Sequence, residues 1–185
     1  MITIAQEEAD HRHAIRQLTV AAFANSELGY NGEADFIDTL RNQCPDILSL
    51  VALDDDRVVG HILFSAATIR CGPVIHAGMG LAPMAVHPAF QKQGIGSILV
   101  TDGMKRLAKR NLEFTMVAGH AQFYPRFGFL PAAEYSVRHG CDGMPQDIFF
   151  LHTKHPRTQF IDGLAYYHDV FGTQHGSVPK STDPQ

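Results

Sequence analysis

A strand, a glycine-containing loop and a helix follow one another between residues 77 and 111, and this order constrains the fold most. The apolar run 77–86 predicts the strand, Gln91-Lys92-Gln93-Gly94-Ile95-Gly96-Ser97 the loop, and the amphipathic stretch 94–111 the helix. A further apolar strand is predicted at Phe114–Ala118. A helix that connects two strands in this way makes them parallel, so the segment predicts an α/β fold.

The rest of the chain predicts the other elements of a single domain that covers residues 1–171. In chain order, the spacing of apolar residues predicts a strand at 1–6, a helix from Asp10, a helix at Glu33–Gln43, strands at 48–53 and 58–67 joined as a hairpin, a short helix at 121–127, a strand from Phe129 and a last strand at 147–151. Residues 172–185 are mainly Gly, Ser, Thr, Pro and Gln, which predicts a disordered tail.

Composition argues against several classes of protein. The chain has 185 residues, of which 45% are hydrophobic, and this is enough apolar material for one core. Cys44, Cys71 and Cys141 are too few for a disulfide framework or a cysteine-rich zinc site, and the eleven histidines show no metal-ligand spacing. The N-terminus lacks the apolar region of a signal peptide, and no apolar run reaches the roughly 20 residues of a membrane helix. We therefore expect a cytoplasmic protein without a metal and without a membrane partner.

Charge is distributed unevenly along the chain. Residues 1–60 carry four Lys or Arg against eleven Asp or Glu, a net charge of −7, whereas residues 87–126 carry six against two, a net charge of +4. A basic centre in a chain of net charge −4 favours a small polyanionic ligand. The acidic balance argues against a nucleic-acid partner, which would need a basic approach surface.

The loop at Gln91–Ser97 predicts an anion site. Glycine lets a ligand approach the backbone closely, and the first N–H groups of a helix are unpaired at the positive end of its dipole. A dinucleotide fingerprint would need a third glycine where Leu99 stands, and the Lys-Ser/Thr pair of a P-loop is absent. On spacing alone, an ordinary tight helix start is the alternative.

Two motifs at the proper spacing resemble the GNAT superfamily of acyl-CoA N-acyltransferases. The first is Gln91-x-x-Gly94-x-Gly96, which follows Pro83-Met84-Ala85-Val86. The second is Tyr124-Pro125-Arg126-Phe127-Gly128-Phe129, which is similar to the Tyr-x-x-Phe-Gly-Phe segment of the superfamily, particularly of its YhbS-type branch. The resemblance implies a GNAT fold, in which a mixed sheet is flanked by helices and two parallel strands splay apart to hold acyl-CoA.

The resemblance implies that acetyl-CoA is the acyl-donor cosubstrate. Main-chain groups of Met84, Ala85 and Val86 would pair with its pantetheine amides as an added strand does. The pyrophosphate would bind the loop that consists of Gln91, Lys92, Gln93, Gly94, Ile95, Gly96 and Ser97. Arg126 is a candidate for a CoA phosphate, with a solvated surface arginine as the alternative.

The resemblance also implies direct attack of a primary amine on the thioester, without a covalent enzyme intermediate. Tyr124 is the candidate acid for the departing CoA thiolate, with a core aromatic residue as the alternative. Three residues are candidates for the base or for binding the amine: Glu27, Glu33 and His120. For each of them an ordinary surface position is the alternative.

Two other functions fit the same motifs. A binding module would hold acyl-CoA without turnover, and the presence of Tyr124 argues against it. A toxin-like acetyltransferase would act on aminoacyl-tRNA, and the net negative charge argues against that. The sequence identifies neither the acceptor amine nor the oligomeric state, and a homodimer is compatible with it.

Overall fold

A nine-stranded mixed sheet with helices on both faces organises the residues that the computed structural model describes, which are 1–24, 30–140, 145–155 and 158–171. The helices are α1 (Arg12–Ala24), α2 (Glu33–Gln43) and α3 (Ile95–Leu107). The strands are β1 (Ile2–Gln6), β2 (Ile47–Asp54), β3 (Arg57–Cys71), β4 (Val74–Val86), β5 (Phe114–Ala118), β6 (Leu130–Pro131), β7 (Val137–His139), β8 (Phe149–Thr153) and β9 (Gly163–Tyr167). The predicted α/β architecture is confirmed.

The parallel pair predicted from the strand–helix–strand order is confirmed. β4 and β5 pair in parallel from Gly78 opposite Phe114 to Leu81 opposite Val117. The other neighbours in the strand order β1-β2-β3-β4-β5-β8-β6 are antiparallel. The predicted hairpin is also confirmed, because β2 and β3 pair up to Asp54 opposite Arg57.

Sequence analysis missed two strands of the described fold, the three-residue β7 and β9. The last predicted strand lies at 147–151. In the structure, β8 occupies Phe149–Thr153, and β9 follows it in the chain. β9 pairs antiparallel with β3 from Ala67 to Arg70, and in parallel with β7. Its five residues carry little periodic signal of their own. The strand is specified by the edge of β3 that it pairs with and by the side chains that it packs against.

Side chains alternate along β3 and divide the core between the two faces of the sheet. Ile62 and Phe64 pack with residues of α3, on what we call the α3 face. Leu63 packs with residues of α1 and α2 on the opposite face, the α1/α2 face. Toward β8 and β9 this second face continues over Met116 and Tyr167. A ligand that lies between two separated strands therefore meets different residues on each face.

Several predicted boundaries are corrected. α1 begins at Arg12 rather than Asp10, and α3 ends at Leu107 rather than 111. The helix predicted at 121–127 is a 3₁₀ segment at Tyr124–Phe127, because Pro125 has no N–H for a longer helix. Candidate base Glu27 and the predicted tail at 172–185 lie outside the described residues.

Within the described ranges, no helix is both long and apolar enough to cross a membrane. The same ranges contain no group of three or more His, Cys, Asp or Glu side chains that could hold a metal ion.

Candidate functional site

The gap that opens between β4 and β5 is the candidate site, and we call it the cleft. The two strands are last paired at Leu81 and Val117. β4 then runs on to Val86, whereas β5 ends one residue later at Ala118. The cleft therefore has a closed end at Leu81, which we call the vertex, and an open end near Val86.

A bulge in β4 explains why the strands separate. Opposite β3, Leu81 pairs with Phe64 and Met84 pairs with Ile62, so β4 uses one more residue than β3 over this stretch. The extra length lies at Ala82-Pro83. Proline has no N–H to offer a neighbouring strand. The bulge therefore ends the parallel ladder and leaves main-chain groups of β4 facing the cleft.

The first turn of α3 presents unpaired N–H groups at the open end of the cleft. Gly94 is the N-cap and has a φ of 86°, a left-handed conformation that favours glycine. The N–H of Ile98 donates to the carbonyl oxygen of Gly94 at 3.0 Å and closes the first turn. The N–H groups of Ile95, Gly96 and Ser97 precede that bond and have no helix carbonyl to pair with. Together with the helix dipole they suit an anion.

Two glutamine side chains hold the loop before α3. The Gln91 side-chain amide donates to the carbonyl oxygen of Val86 at 3.1 Å, and that of Gln93 donates to Ala89 at 3.2 Å. Lys92 lies between them with a φ of 61° and is exposed. The loop is thus tied to the end of β4, and its lysine is left at the surface.

Gly96 borders the space between the loop and the cleft. A Cβ atom at this position would lie 3.6 Å from Phe123, 3.7 Å from Met84 and 3.9 Å from Val86. These are ordinary van der Waals distances, so the free protein has room for a small side chain there. The structure therefore brings Met84, Val86 and Gly96 together around one space. In the sequence, only the family resemblance had grouped these residues.

Arg126 is the second cation at the open end of the cleft. Its guanidinium donates to the Ser97 hydroxyl oxygen at 3.0 Å and to the Phe123 carbonyl oxygen at 3.3 Å. It also lies over the rings of Phe123 and Phe127, with 4.9 and 5.5 Å between the guanidinium carbon and the ring centroids. These contacts hold the positive charge beside the first turn of α3.

The other basic residues of the 87–126 region lie away from the cleft. The charge count suggested that the positive charge of the whole region favours a polyanionic ligand, and for these residues that expectation is wrong. Lys105, Arg106, Lys109 and Arg110 lie at or beyond the C-terminal end of α3, and 13 helical residues span about 20 Å. Arg106 pairs with Asp102 at 2.6 Å and Arg110 with Asp46 at 2.7 Å. The anion site therefore depends on main-chain groups and two cations rather than on a basic helix.

Among the described residues, five of the eleven acidic residues in the first 60 form ion pairs. These ion-paired residues are Glu7, Asp35, Asp38, Asp46 and Asp54. This reduces the charge left to face a substrate.

Tyr124 is buried beside Gly119, the residue that follows β5, and belongs to the same hydrophobic cluster as Leu81 and Val117 of the vertex. Only 6% of the residue is exposed, and its ring makes edge contacts with Phe123 and Phe129. Gly119 leaves room for this ring, because a Cβ there would lie 2.5 Å from it. Burial raises the pKa of the Tyr124 phenol well above its usual value, so the hydroxyl keeps its proton at any working pH.

Two of the candidate bases, Glu33 and His120, lie among the described residues, where Glu33 accepts a local hydrogen bond and His120 is exposed. The carboxylate of Glu33 accepts the N–H of Asn31 at 2.8 Å, in the first turn of α2, which is the behaviour of a helix-terminal carboxylate. His120 is exposed just after β5, and its carbonyl oxygen accepts the N–H of Phe123 at 3.0 Å. A role for either in proton transfer stays a prediction, as does one for Glu27.

A buried polar network on the α1/α2 face escaped sequence analysis. The Ser49 hydroxyl donates to a carboxylate oxygen of Glu7, and 2.8 Å separates Ser49 Oγ from Nε2 of His61. Arg41 Nε lies 2.7 Å from the other Glu7 oxygen. Hydrogen bonds from His61, Ser49 and Arg41 outweigh burial and lower the pKa of Glu7 to about 2, whereas burial lowers the pKa of His61.

This network has the composition of a Ser-His-Glu triad but not its geometry. In such a triad the carboxylate binds the imidazole nitrogen that faces away from the serine. Here Glu7 and Ser49 both lie on the Nε2 side, and Nδ1 of His61 has no hydrogen-bond partner among the residues that the structure describes. His61 is also completely buried, so no substrate reaches it. The network is a structural feature, and the sequence contains no local signal for it because its members come from α2, β2, β3 and the residue that follows β1.

The mixed sheet and the cleft between its two splayed parallel strands define the fold class of this protein. A model of the acetyltransferase (GNAT) domain matches residues 45–131. A crystal structure of a GNAT family acetyltransferase from Brucella melitensis, in complex with acetyl-CoA, is similar with a TM-score of 0.74 and 30% identity over 93% of this chain and 99% of that one. The chain belongs to the GNAT acetyltransferase family.

Two Escherichia coli proteins are also similar. The structure of the GNAT family N-acetyltransferase YhbS in complex with CoA superposes with a TM-score of 0.76 and 26% identity, over 92% of this chain and 91% of that one. The uncharacterized N-acetyltransferase YjhQ of strain K12 is 37% identical over 124 residues, which are 64% of either chain. The match thus spans a little less than two thirds of YjhQ.

Proposed function

We propose that this protein transfers an acetyl group from acetyl-CoA to a primary amine. The observation that carries the proposal is the cleft between β4 and β5, which opens directly onto the unpaired N–H groups of the first turn of α3. Relatives crystallised with acetyl-CoA and with CoA support the same ligand for this chain. Free thiols at Cys44 and Cys71 agree with a cytoplasmic location.

Main-chain groups would bind most of the donor. Met84, Ala85 and Val86 lie beyond the last residue of β4 that pairs with β5, so their main-chain groups that face the cleft are available to the pantetheine amides, apart from the Val86 carbonyl, which accepts a hydrogen bond from Gln91. The pyrophosphate would accept hydrogen bonds from the N–H groups of Ile95, Gly96 and Ser97. Arg126 and Lys92 would add positive charge at this end.

The reaction would proceed by direct attack of the amine on the thioester. The neutral amine nitrogen attacks the thioester carbonyl carbon, and the carbonyl oxygen carries the negative charge of the tetrahedral intermediate. The carbon–sulfur bond then breaks, the carbonyl re-forms, and CoA leaves as a thiolate. The attacking nitrogen, which is positively charged once the new bond has formed, loses one of its two protons to water or to a base on the acceptor side. No bond to the enzyme forms at any stage.

Tyr124 would stabilise the thiolate as a neutral phenol. A thiol has an ordinary pKa of about 8.5, and burial keeps the pKa of Tyr124 far above that value. Complete proton transfer from phenol to thiolate is therefore uphill in the free enzyme. A hydrogen bond from the phenol O–H to the developing sulfur anion agrees better with this order of pKa values, with solvent supplying the final proton.

The test is CoA thiol release from acetyl-CoA over a library of amines, with the acetylated product identified by mass spectrometry. We expect amine-dependent release with at least one class of primary amine. Calorimetric binding of acetyl-CoA without release for any amine would instead support a binding module. Acetylation confined to aminoacyl-tRNA would support the toxin-like alternative.

A further inference from the structure

A second buried tyrosine, Tyr167 of β9, reaches the vertex of the cleft from the α1/α2 face. Its hydroxyl oxygen accepts the N–H of Ala118 on β5 at 3.1 Å. The same hydroxyl donates to the carbonyl oxygen of Leu81 on β4, at a long 3.5 Å. One side-chain oxygen thus bonds both strands at the point where their own ladder ends.

The ring of Tyr167 is held firmly by its surroundings. It stacks on Phe171 with 4.4 Å between centroids and an interplanar angle of 25°, and only 8% of the residue is exposed. Gly80 of β4 lies directly beneath it, because a Cβ at that position would collide with the Tyr167 ring. The absence of a side chain at Gly80 is therefore what lets the hydroxyl reach the vertex.

Tyr167 cannot perform the role proposed for Tyr124. A phenol has one hydrogen to donate, and that of Tyr167 is directed at Leu81. Without the hydroxyl, the part-buried N–H of Ala118 and the carbonyl of Leu81 would lose their partner. They would then bond each other, which moves the vertex outward, or admit water. Either change alters the closed end of the cleft, where an acyl group carried along β4 comes to rest.

We propose that Tyr167 is a positioning residue that fixes the vertex of the cleft and thereby the placement of the thioester carbonyl. This inference rests on the proposed function for the identity of the donor. Through this residue, β9, the last strand that the structure describes, directly influences the geometry of the reaction. Binding of the CoA portion depends on the open end of the cleft, so it should be almost independent of Tyr167.

The test uses Tyr167→Phe, which keeps the ring, and Tyr135→Phe as the matched control. Tyr135 is also buried, at 4% exposure, and belongs to the same hydrophobic cluster. The bound carbonyl of ¹³C-labelled acetyl-CoA is observed by NMR, together with exchange of the Ala118 amide, the Kd of acetyl-CoA and kcat for an accepted amine.

We expect Tyr167→Phe to shift or broaden the bound carbonyl resonance and to speed exchange at Ala118 by about tenfold or more. The value of kcat should fall about 10- to 100-fold, the effect of a small misplacement, while Kd changes less than about threefold. Tyr135→Phe should change none of these. Gly80→Ala, which displaces the ring but keeps the hydroxyl, should reproduce the carbonyl shift.

An unchanged carbonyl resonance in Tyr167→Phe would overturn the proposal, as would a parallel rise in Kd or an equal loss in Tyr135→Phe. The NMR measurements need no acceptor amine. If no amine is acetylated, the proposed function fails while the carbonyl resonance still decides the role of Tyr167.

Discussion

The two ends of the cleft are built in different ways. At the open end, the anion site consists of main-chain groups from one continuous stretch between Val86 and Ser97, supported by Arg126. At the vertex, the side chain of Tyr167 bonds Leu81 and Ala118, which lie 86 and 49 residues away from it in the chain. The open end therefore holds a ligand through local backbone conformation, whereas the vertex depends on the packing of distant strands.

This difference separates the binding of CoA from the chemistry of its thioester. Substitutions at the open end should change affinity. Substitutions beneath the cleft should change the rate of transfer, and those in the buried network around Glu7 should change stability alone.

The largest expected effect is that of Tyr124→Phe. The change removes one hydroxyl and keeps the ring among Phe123 and Phe129. We expect kcat at saturating substrates to fall about 10²–10⁴-fold, because the departing thiolate loses its donor. The Kd of acetyl-CoA should hold, since the sulfur carries no charge in the ground state. A higher Kd with an unchanged kcat would make Tyr124 a binding residue.

The high pKa of Tyr124 adds a second observation on the same residue. Because burial raises that pKa, the phenol stays protonated through the alkaline range. The kcat profile should therefore show no loss near the usual tyrosine pKa of about 10. A loss there that disappears in Tyr124→Phe would show that the phenol titrates normally.

The Glu7 network should affect stability and leave the cleft unchanged. Glu7→Gln removes the charge that faces Arg41, whose side chain is 6% exposed. Breaking one partner of a buried ion pair costs about 3 kcal/mol of unfolding free energy, which urea denaturation measures. Asp54→Asn, at an exposed pair with the N-terminus, is the control and should cost almost nothing. Weaker acetyl-CoA binding by a folded Glu7→Gln protein would contradict the separation of the two regions.

Acid should destabilise the protein through the same network. The pKa of His61 is lowered below its ordinary 6.5 and that of Glu7 from 4.5 to about 2, so the unfolded chain binds more protons than the folded one. Stability is therefore expected to decrease as the pH falls below about 6.5, and more steeply from about 4.5 toward 2. Urea midpoints across this range provide the measurement. In Glu7→Gln the steeper part should flatten, and an unchanged profile would place the acid sensitivity elsewhere.

The smallest expected effect lies at the open end. A valine at position 96 finds room in the free protein, so Gly96→Val should fold. Its side chain would occupy the space between Phe123, Met84 and Val86, and we expect acetyl-CoA affinity to fall about tenfold, or about 1.4 kcal/mol. Ile98→Val, two residues further along α3 at a position that is 44% exposed, should bind normally. Calorimetry compares the two, and equal affinities would remove Gly96 from the site.

Much of the fold could be predicted from the sequence where the signal is local. The parallel pair of β4 and β5, the hairpin of β2 and β3, and the bounds of α2 at Glu33–Gln43 are confirmed. The boundaries of α1 and α3 differ by a few residues, because helix ends depend on caps. β9 could not be predicted from the sequence, because five residues with weak periodicity form a strand only when they pair with β3.

The sequence by itself determined the α/β class and the local conformation of the candidate anion site, because a glycine N-cap and the N–H groups of a first helical turn are properties of consecutive residues. Tertiary structure alone decided which charges pair with one another, the burial that keeps Tyr124 protonated, and the reach of Tyr167 to the vertex. Charge pairing, desolvation and cross-strand hydrogen bonds all require groups that are far apart in the chain. They exist only after the sheet has closed and water has been excluded from its two faces.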